Sequence, residues 1–142
     1  MKKLVIIPTY NEKENIEKII SAVFALEQDF HILVVDDSSP DGTAEIVKSL
    51  REKFPLQLHL TVRKIKDGLG KAYIHGFQWA IHNEYDYIFE MDADFSHNPK
   101  DLIKLFEACK TADMAVGSRY SQGVNVVNWP MGRVLLSYFA SK

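Results

Sequence analysis

Apolar residues along this chain follow two alternating patterns. Short, nearly continuous apolar runs predict strands that are buried on both faces of a sheet. Between them, apolar residues recur at helical spacing with charged residues in the gaps, which predicts amphipathic helices. One weaker run alternates apolar and polar residues, as strands do. The predicted strands are 4–7, 30–35, 56–62, 87–91 and 114–116, and the predicted helices cover about 16–26, 44–50, 71–83 and 101–110.

Strands and helices therefore alternate along most of the chain. Such an order is typical of an α/β fold with a mostly parallel central sheet and helices on both faces. After residue 120 the pattern changes. Residues 121–128 predict a mobile loop, and the apolar stretch from Met131 predicts the start of a helix that is unfinished at Lys142. We therefore expect an α/β core over residues 1–120, a C-terminally truncated chain, and an acceptor-side or membrane-side helix beginning within residues 121–142.

Composition narrows the possible functions. The chain has 142 residues, 46% of them hydrophobic and 25% charged, with a formal net charge of -2, which is typical of one globular domain without a nucleic-acid-binding excess of basic residues. No apolar run is long enough to cross a bilayer. The only cysteine, Cys109, cannot form a disulfide within the chain, and its place in a predicted helix favours a packing role.

Acidic side chains follow three of the predicted strands. Glu12 follows the first strand, Asp36 and Asp37 follow the second, and Asp92 and Asp94 end the strand at 87–91. Carboxyl ends of parallel strands meet at one edge of a sheet, where ligands of open α/β folds bind. Like charges gathered there repel one another unless a cation offsets them. Two carboxylates spaced i, i+2 suit a hard divalent ion that also binds water and substrate phosphates.

Five short motifs occur in an order that resembles family 2 glycosyltransferases of the GT-A fold, a Rossmann-like fold that binds nucleotide-diphospho-sugars. More narrowly, the motifs resemble the dolichyl-phosphate (polyprenyl-phosphate) mannosyltransferases. Any one of these motifs alone is a weak signal, but the five together cover nearly the whole chain. The motifs are PTYNE at 8–12, DDSSPDGT at 36–43, GLGKAY at 68–73, MDADFSH at 91–97 and GSRY at 117–120.

This resemblance implies an inverting glycosyltransferase that moves mannose from GDP-mannose to dolichyl or polyprenyl phosphate, assisted by Mg²⁺ or Mn²⁺. A lipid acceptor implies peripheral contact with the cytosolic face of a membrane and a cytoplasmic location. The lack of a basic excess predicts that the protein has no nucleic-acid partner. The acceptor phosphate is already anionic near neutral pH, so we expect no general base. Positioning and charge stabilisation are then the main tasks of the protein.

The resemblance also implies roles for individual residues. Asp94 and Arg119 are the expected catalytic residues, because a carboxylate holds the metal and an arginine fork fits phosphate oxygens. Arg133 and Ser137 are candidates for the acceptor phosphate. Apart from the resemblance, the charges of Lys66 and Asp67 and the glycine that follows them indicate a loop that closes over the diphosphate. The expected metal ligands are Asp92, Asp94 and Ser96, and the expected nucleotide-sugar contacts are Pro8, Tyr10, Glu12, Val35, Asp37, Asp92, Ala93, Asp94 and Arg119.

Three alternatives remain open from the sequence. A sibling of the same family could use UDP-glucose or UDP-GlcNAc as donor and a lipid phosphate or a glycan as acceptor. An apolar strand that ends in Asp-x-Asp also occurs in phosphohydrolases with an aspartyl nucleophile. The third alternative is a chain that binds nucleotide without completing an acceptor site.

Overall fold

The computed structural model describes residues 2–110 in full, and residues 114–118, 123–127 and 134–139 by their backbone alone. The described residues form one seven-stranded sheet and four helices. The strands are β1 Lys3–Thr9, β2 Phe30–Asp36, β3 Leu58–Val62, β4 Tyr87–Glu90, β5 Met114–Ser118, β6 Gly123–Val127 and β7 Val134–Phe139, and the helices are α1 Ile16–Phe24, α2 Thr43–Arg51, α3 Leu69–His82 and α4 Asp101–Cys109.

The sheet has the strand order β3-β2-β1-β4-β7-β5-β6. Its pairs are parallel, except that β6 runs antiparallel to β5. The central strand β1 pairs with both β2 and β4, so that Thr9 lies opposite Asp36 and Ile6 opposite Glu90. The loops that follow β1, β2 and β4 consequently leave the sheet side by side at its carboxyl edge. The predicted mostly parallel sheet is confirmed.

Alternate residues of the central strands divide the core into two layers. Val5 and Ile7 belong to a cluster with the buried faces of α1, α2 and α4. Leu4 and Ile6 face the other way and pack with α3. This helix lies close to the sheet, because a Cβ built on Gly76 would be 2.7 Å from Cγ2 of Ile6. Helices thus cover both faces, as predicted from the alternation of strands and helices.

Two predictions for the last part of the chain are wrong. Residues 121–128 were expected to form a mobile loop, but residues 123–127 form β6, which makes a hairpin with β5. A helix was expected from Met131, but Val134–Phe139 forms β7, between β4 and β5. An apolar run of this length fits a buried strand as well as a helix. This segment pairs with β4 on one side and β5 on the other, and these pairings favour the strand. The local sequence pattern does not contain that information.

Two other sequence-based points concern Cys109 and membrane spans. Cys109 is 4% exposed within α4, and its packing role is confirmed. Within the described residues, none of the helices has the length and apolar character that crossing a membrane requires.

Candidate active site

A cleft of about 260 Å³ opens at the carboxyl edge of the sheet. Its walls come from the loops after β1, β2 and β4 and from the segment that leads into α3. The structure therefore brings together most of the residues that the motifs singled out, including acids from three separate strand ends. The lining residues are Pro8, Thr9, Tyr10, Glu12, Asp37, Lys66, Leu69, Ala72, Asp92, Ala93 and Asp94.

The two adjacent acids after β2 have different surroundings. Asp36 is fully buried, and its carboxylate accepts hydrogen bonds from Thr9 Oγ1 at 2.7 Å and from the Ser39 backbone N–H at 2.9 Å. The hydroxyl of Ser39 in turn accepts a hydrogen bond from the backbone N–H of Asn11 at 2.9 Å. Asp36 thus joins the first two loops to each other, and Asp37 is the acid of this pair that lines the cleft.

The rest of the DDSSPDGT motif has a similar local role. Oδ1 of Asp41 accepts the backbone N–H of Thr43 at 3.0 Å, and Oδ2 accepts the backbone N–H of Lys13 at 3.1 Å. The Thr43 hydroxyl accepts the backbone N–H of Glu12 at 3.1 Å. These bonds hold the loop after β1 against the start of α2, which places Glu12 at the cleft.

Asp92 is held from two sides. The Tyr73 hydroxyl donates to its Oδ1 at 2.8 Å, and Nε2 of His97 lies 3.8 Å from its Oδ2. The backbone N–H of Asp92 donates to Nδ1 of His97 at 3.2 Å. Burial and the charge of Asp92 raise the pKa of Tyr73 well above its usual range, so this hydroxyl remains a donor. Sequence reasoning assigned no role to Tyr73 or His97; the only signal was their presence in two of the motifs.

Asp94 is the more open of the two carboxylates that follow β4. The backbone N–H of Ser96 donates to its Oδ1 at 3.0 Å. A hydrogen bond from the Ser96 side chain is the main cause that lowers the pKa of Asp94, although partial burial opposes it. Ser96 itself lines a neighbouring cavity of about 710 Å³ beside Phe95 and is not part of the cleft wall. The structure therefore places Ser96 as a support for Asp94 and gives no evidence for it as a metal ligand.

Glu12 has a raised pKa. Burial is the main cause, the charges of Asp94 and Asp92 add to it, and a hydrogen bond from Asn15 opposes it. The first-loop acid therefore interacts electrostatically with the acids that follow β4. A cluster of this kind is favourable for a bound cation and costs the empty protein some stability.

Three of the four described non-glycine residues with positive φ lie in the loops of the cleft; the fourth, Glu84, precedes β4. Asn11, Ser38 and Phe95 have φ values of 55°, 54° and 61°, a region that non-glycine residues rarely adopt. One of them lies in each of the loops after β1, β2 and β4. Strained residues of this kind tend to cluster at ligand sites, where the surrounding structure holds them.

Besides Ser96, four predicted site residues are not among the described side chains that line the cleft. Val35 is fully buried in the core layer that packs on α3. Arg119 and Arg133 lie outside the described residues, and Ser137 belongs to β7, where only the backbone is described. Their expected roles stay predictions.

The described side chains do not include a group of three or more His, Cys, Asp or Glu that would hold a metal without other ligands. Asp92 and Asp94 offer hard oxygen atoms at the same cleft. They fit an ion such as Mg²⁺ or Mn²⁺ only if water or substrate oxygens complete its coordination.

The chain matches the domain described as glycosyl transferase family 2 over residues 4–141. It belongs to this family. It is 47% identical over 141 residues to a polyprenol monophosphomannose synthase of Mycolicibacterium smegmatis, covering 99% of this chain and 53% of the relative. It is 44% identical to an undecaprenyl-phosphate mannosyltransferase of Micrococcus luteus, covering 99% of this chain and 58% of the relative. The chain thus spans about half the length of these curated relatives.

The fold of this chain is also similar to those of solved structures. A mannosyltransferase of Pyrobaculum calidifontis in complex with GDP-Man and Mn²⁺ has a TM-score of 0.71 at 25% identity, covering 82% of this chain and 35% of that one. TarS of S. aureus in complex with UDP-GlcNAc has a TM-score of 0.66 at 26% identity, covering 88% of this chain and 37% of that one. The predicted GT-A fold is confirmed, and family membership contradicts the phosphohydrolase alternative.

Proposed function

We propose that this chain supplies the nucleotide-sugar site of an inverting glycosyltransferase that moves mannose from GDP-mannose to a polyprenyl phosphate. The observation that carries the proposal is the meeting of Asp37, Asp92 and Asp94 with Tyr10 in one cleft. Similarity to relatives named polyprenol and undecaprenyl mannosyltransferases supports the lipid-phosphate acceptor. The structure with GDP-Man and Mn²⁺ supports the donor and the need for a divalent ion.

The nucleotide is expected to lie across the carboxyl ends of β2, β1 and β4. Tyr10, which is 39% exposed, offers a ring face for the base or ribose. Nζ of Lys66 lies 4.4 Å from the centre of this ring and lines the same cleft, where it can approach the diphosphate. Small Ala93 leaves space beside the two carboxylates.

Asp92 and Asp94 would hold the divalent ion. When bound, such an ion neutralises charge on the diphosphate and so assists departure of the GDP group. The choice between Mg²⁺ and Mn²⁺ does not affect the roles of these residues. Tyr73 and His97 orient Asp92, and Ser96 orients Asp94, so that their oxygen atoms are in place before the substrate arrives.

The proposed chemistry is a single displacement. An oxygen of the lipid phosphate attacks the anomeric carbon from the face opposite the diphosphate, a new carbon–oxygen bond forms, and GDP leaves with the electrons of the broken bond. No proton has to be removed from the attacking phosphate, which is why we assign no general base. Arg119 would stabilise the leaving diphosphate, and Arg133 with Ser137 would bind the acceptor phosphate.

The acceptor also defines where the reaction takes place. A polyprenyl phosphate is held in a bilayer by its lipid chain, so we propose peripheral contact with the cytosolic face of a membrane. Relatives that are named for polyprenol-linked substrates support the contact with a lipid.

A donor panel tests the proposal. The protein is given GDP-mannose, UDP-glucose or UDP-GlcNAc, each with a short polyprenyl phosphate and Mn²⁺. Transfer is measured as labelled sugar in the lipid product. In parallel, calorimetry measures binding of GDP and UDP to the chain. We expect transfer from GDP-mannose and tighter binding of GDP. Binding without transfer would support the non-catalytic alternative for this chain.

The second candidate is a family member with a UDP-sugar donor, supported by the similarity to TarS in complex with UDP-GlcNAc. In that case the same panel would give transfer from a UDP-sugar, and UDP would bind more tightly than GDP.

A further inference from the structure

Arg63 lies directly after β3 and pairs with an acid of the cleft. Its Nη1 is 3.5 Å from Oδ1 of Asp37, its Nη2 forms an ion pair with Asp67, and its side chain is only 12% exposed. Two further bonds hold its backbone: its N–H donates to the Asp36 carbonyl at 2.7 Å, and its carbonyl accepts the Ser38 hydroxyl. The cleft wall includes Asp37 but not Arg63, so the arginine contacts this carboxylate on the side that faces away from the cleft.

The contact between the two charges is incomplete. Oδ1 of Asp37 and Nη1 of Arg63 are both buried, and neither makes a hydrogen bond to a described residue. Burial raises the pKa of Asp37, and the positive charge of Arg63 is the largest opposing cause. Among the other neighbours, Asp36 raises this pKa, whereas Lys66 and His75 lower it. Removal of Arg63 would therefore leave a buried carboxylate with much weaker compensation.

The place of Asp37 in the sheet indicates which part of a nucleotide it meets. It follows β2, two strands away from β4, and neighbouring strands are about 4.8 Å apart, so its cleft position lies about 10 Å from Asp92 and Asp94. With the diphosphate at those two acids, the nucleoside extends toward Asp37.

A carboxylate only accepts hydrogen bonds, so it suits a base edge that presents neighbouring N–H donors. Guanine has two such donors, its ring N1–H and its 2-amino group, whereas uracil has one N–H between two carbonyl groups. Asp37 therefore matches the Watson–Crick edge of guanine better than that of uracil.

We propose that Arg63 is a positioning residue for the donor nucleotide: it holds the buried Oδ1 of Asp37, so that the other oxygen, Oδ2, faces the cleft and accepts the two N–H donors of guanine. The inference rests on the proposed function and adds to it the residue that acts through Asp37. Arg63 also links Asp37 to the segment that leads into α3. Its second partner, Asp67, lies just before this helix and also forms an ion pair with Lys71 of α3, at 3.6 Å.

Calorimetry with GDP, IDP and UDP in the presence of Mn²⁺ tests this role. IDP lacks the 2-amino group, so the ratio of GDP to IDP affinity reports directly on the contact between this group and Asp37. Arg63→Gln should weaken GDP binding about tenfold, as expected for a charge-assisted bond that is lost, and should reduce the preference for GDP over IDP. Arg51→Gln, the same change at an exposed arginine of α2, should leave both values unchanged.

Two further measurements separate positioning from a general structural effect. Asp37→Asn should reduce the preference for GDP over IDP in the same way. The double variant with Arg63→Gln should lose little more, because both changes remove the same interaction.

The weakening of GDP binding at acidic pH should begin at higher pH in Arg63→Gln, since burial then raises the pKa of Asp37 with less opposition. Arg63→Lys keeps the charge and should recover part of the preference, and it serves as the test if Arg63→Gln does not fold.

Equal weakening of GDP, IDP and UDP in Arg63→Gln, or additive losses in the double variant, would overturn the role of Arg63 while the proposed function stands. A wild-type chain that binds UDP and not GDP, or neither nucleotide, would overturn the proposed function and this inference together.

Discussion

The Tyr73 hydroxyl donates a 2.8 Å hydrogen bond to Oδ1 of Asp92, and this bond joins α3 to the loop after β4 inside the cleft. The two residues come from opposite sides of the sheet edge, because α3 packs on one face and the Asp92 loop continues toward α4 on the other. His97 approaches the second carboxylate oxygen. One acid of the Asp-x-Asp pair is thus oriented by its neighbours, whereas Asp94 remains more exposed.

Tyr73→Phe removes this donor and keeps the ring. We expect GDP binding with Mn²⁺ to weaken about three- to tenfold, because a hydrogen bond to a charged group is lost and water replaces it only in part. Calorimetry with and without Mn²⁺ measures the effect. Tyr85→Phe is the matched control: it removes another tyrosine hydroxyl, 2.9 Å from Nδ1 of His31 and distant from the cleft. If both variants bound GDP equally, Asp92 would not depend on Tyr73.

Asp94→Asn removes a charge from the cleft with almost no change in shape. Metal-dependent binding of GDP should fall about tenfold or more, since an amide oxygen is a much weaker partner for a divalent ion than a carboxylate. Metal-free binding should change little. Asp86→Asn, at the opposite end of β4, is the control. A wild-type response to Mn²⁺ in Asp94→Asn would contradict the metal site.

Glu12→Gln tests the electrostatic cost of the cleft. The folded state raises the pKa of Glu12 above 4.5, so the stability that this group contributes is present below its unfolded pKa and is lost as the pH rises through its folded pKa. At pH 7 the ionised side chain therefore destabilises the fold. Glutamine keeps an acceptor for Asn15 and should raise Tm slightly at pH 7, and the gain should shrink toward pH 4.

Thermal unfolding at several pH values measures this difference. Glu14→Gln, an exposed position on the same loop, is the control. A gain of the same size in Glu14→Gln, or a gain in Glu12→Gln that grows at acidic pH, would show that the crowding of acids at the cleft is not its cause.

Gly76→Ala tests the close contact between α3 and the sheet. The added Cβ would lie 2.7 Å from Cγ2 of Ile6, so the helix or the strand has to move. We expect a loss of about 1–3 kcal/mol in the free energy of unfolding, as for other overpacked cores. Gly70→Ala, in the same helix with no atom within 4 Å of its added Cβ, should be neutral or gain up to about 1 kcal/mol. Denaturant unfolding compares the two, and equal stabilities would contradict the close packing.

Most of the fold followed from local patterns. The nearly continuous apolar runs of the buried strands and the helical spacing of α1, α2 and α4 are properties of short segments, and the structure agrees with them to within a few residues. Acids after consecutive parallel strands must meet at one edge, so the composition of the cleft was predictable as well. The last part of the chain was not, because β7 owes its strand form to a position between β4 and β5 that is defined by distant residues.

Sequence alone thus established the order of the elements, the α/β class and the set of acids at the carboxyl edge, because the periodicity of side chains and the direction of parallel strands are local constraints. It did not show how the surroundings of these acids differ. Asp36 is buried in a hydrogen-bonded loop while Asp37 lines the site, and Asp92 is held by Tyr73 and His97. These differences arise from contacts between residues far apart in the chain, so they depend on how the loops and helices pack on the sheet.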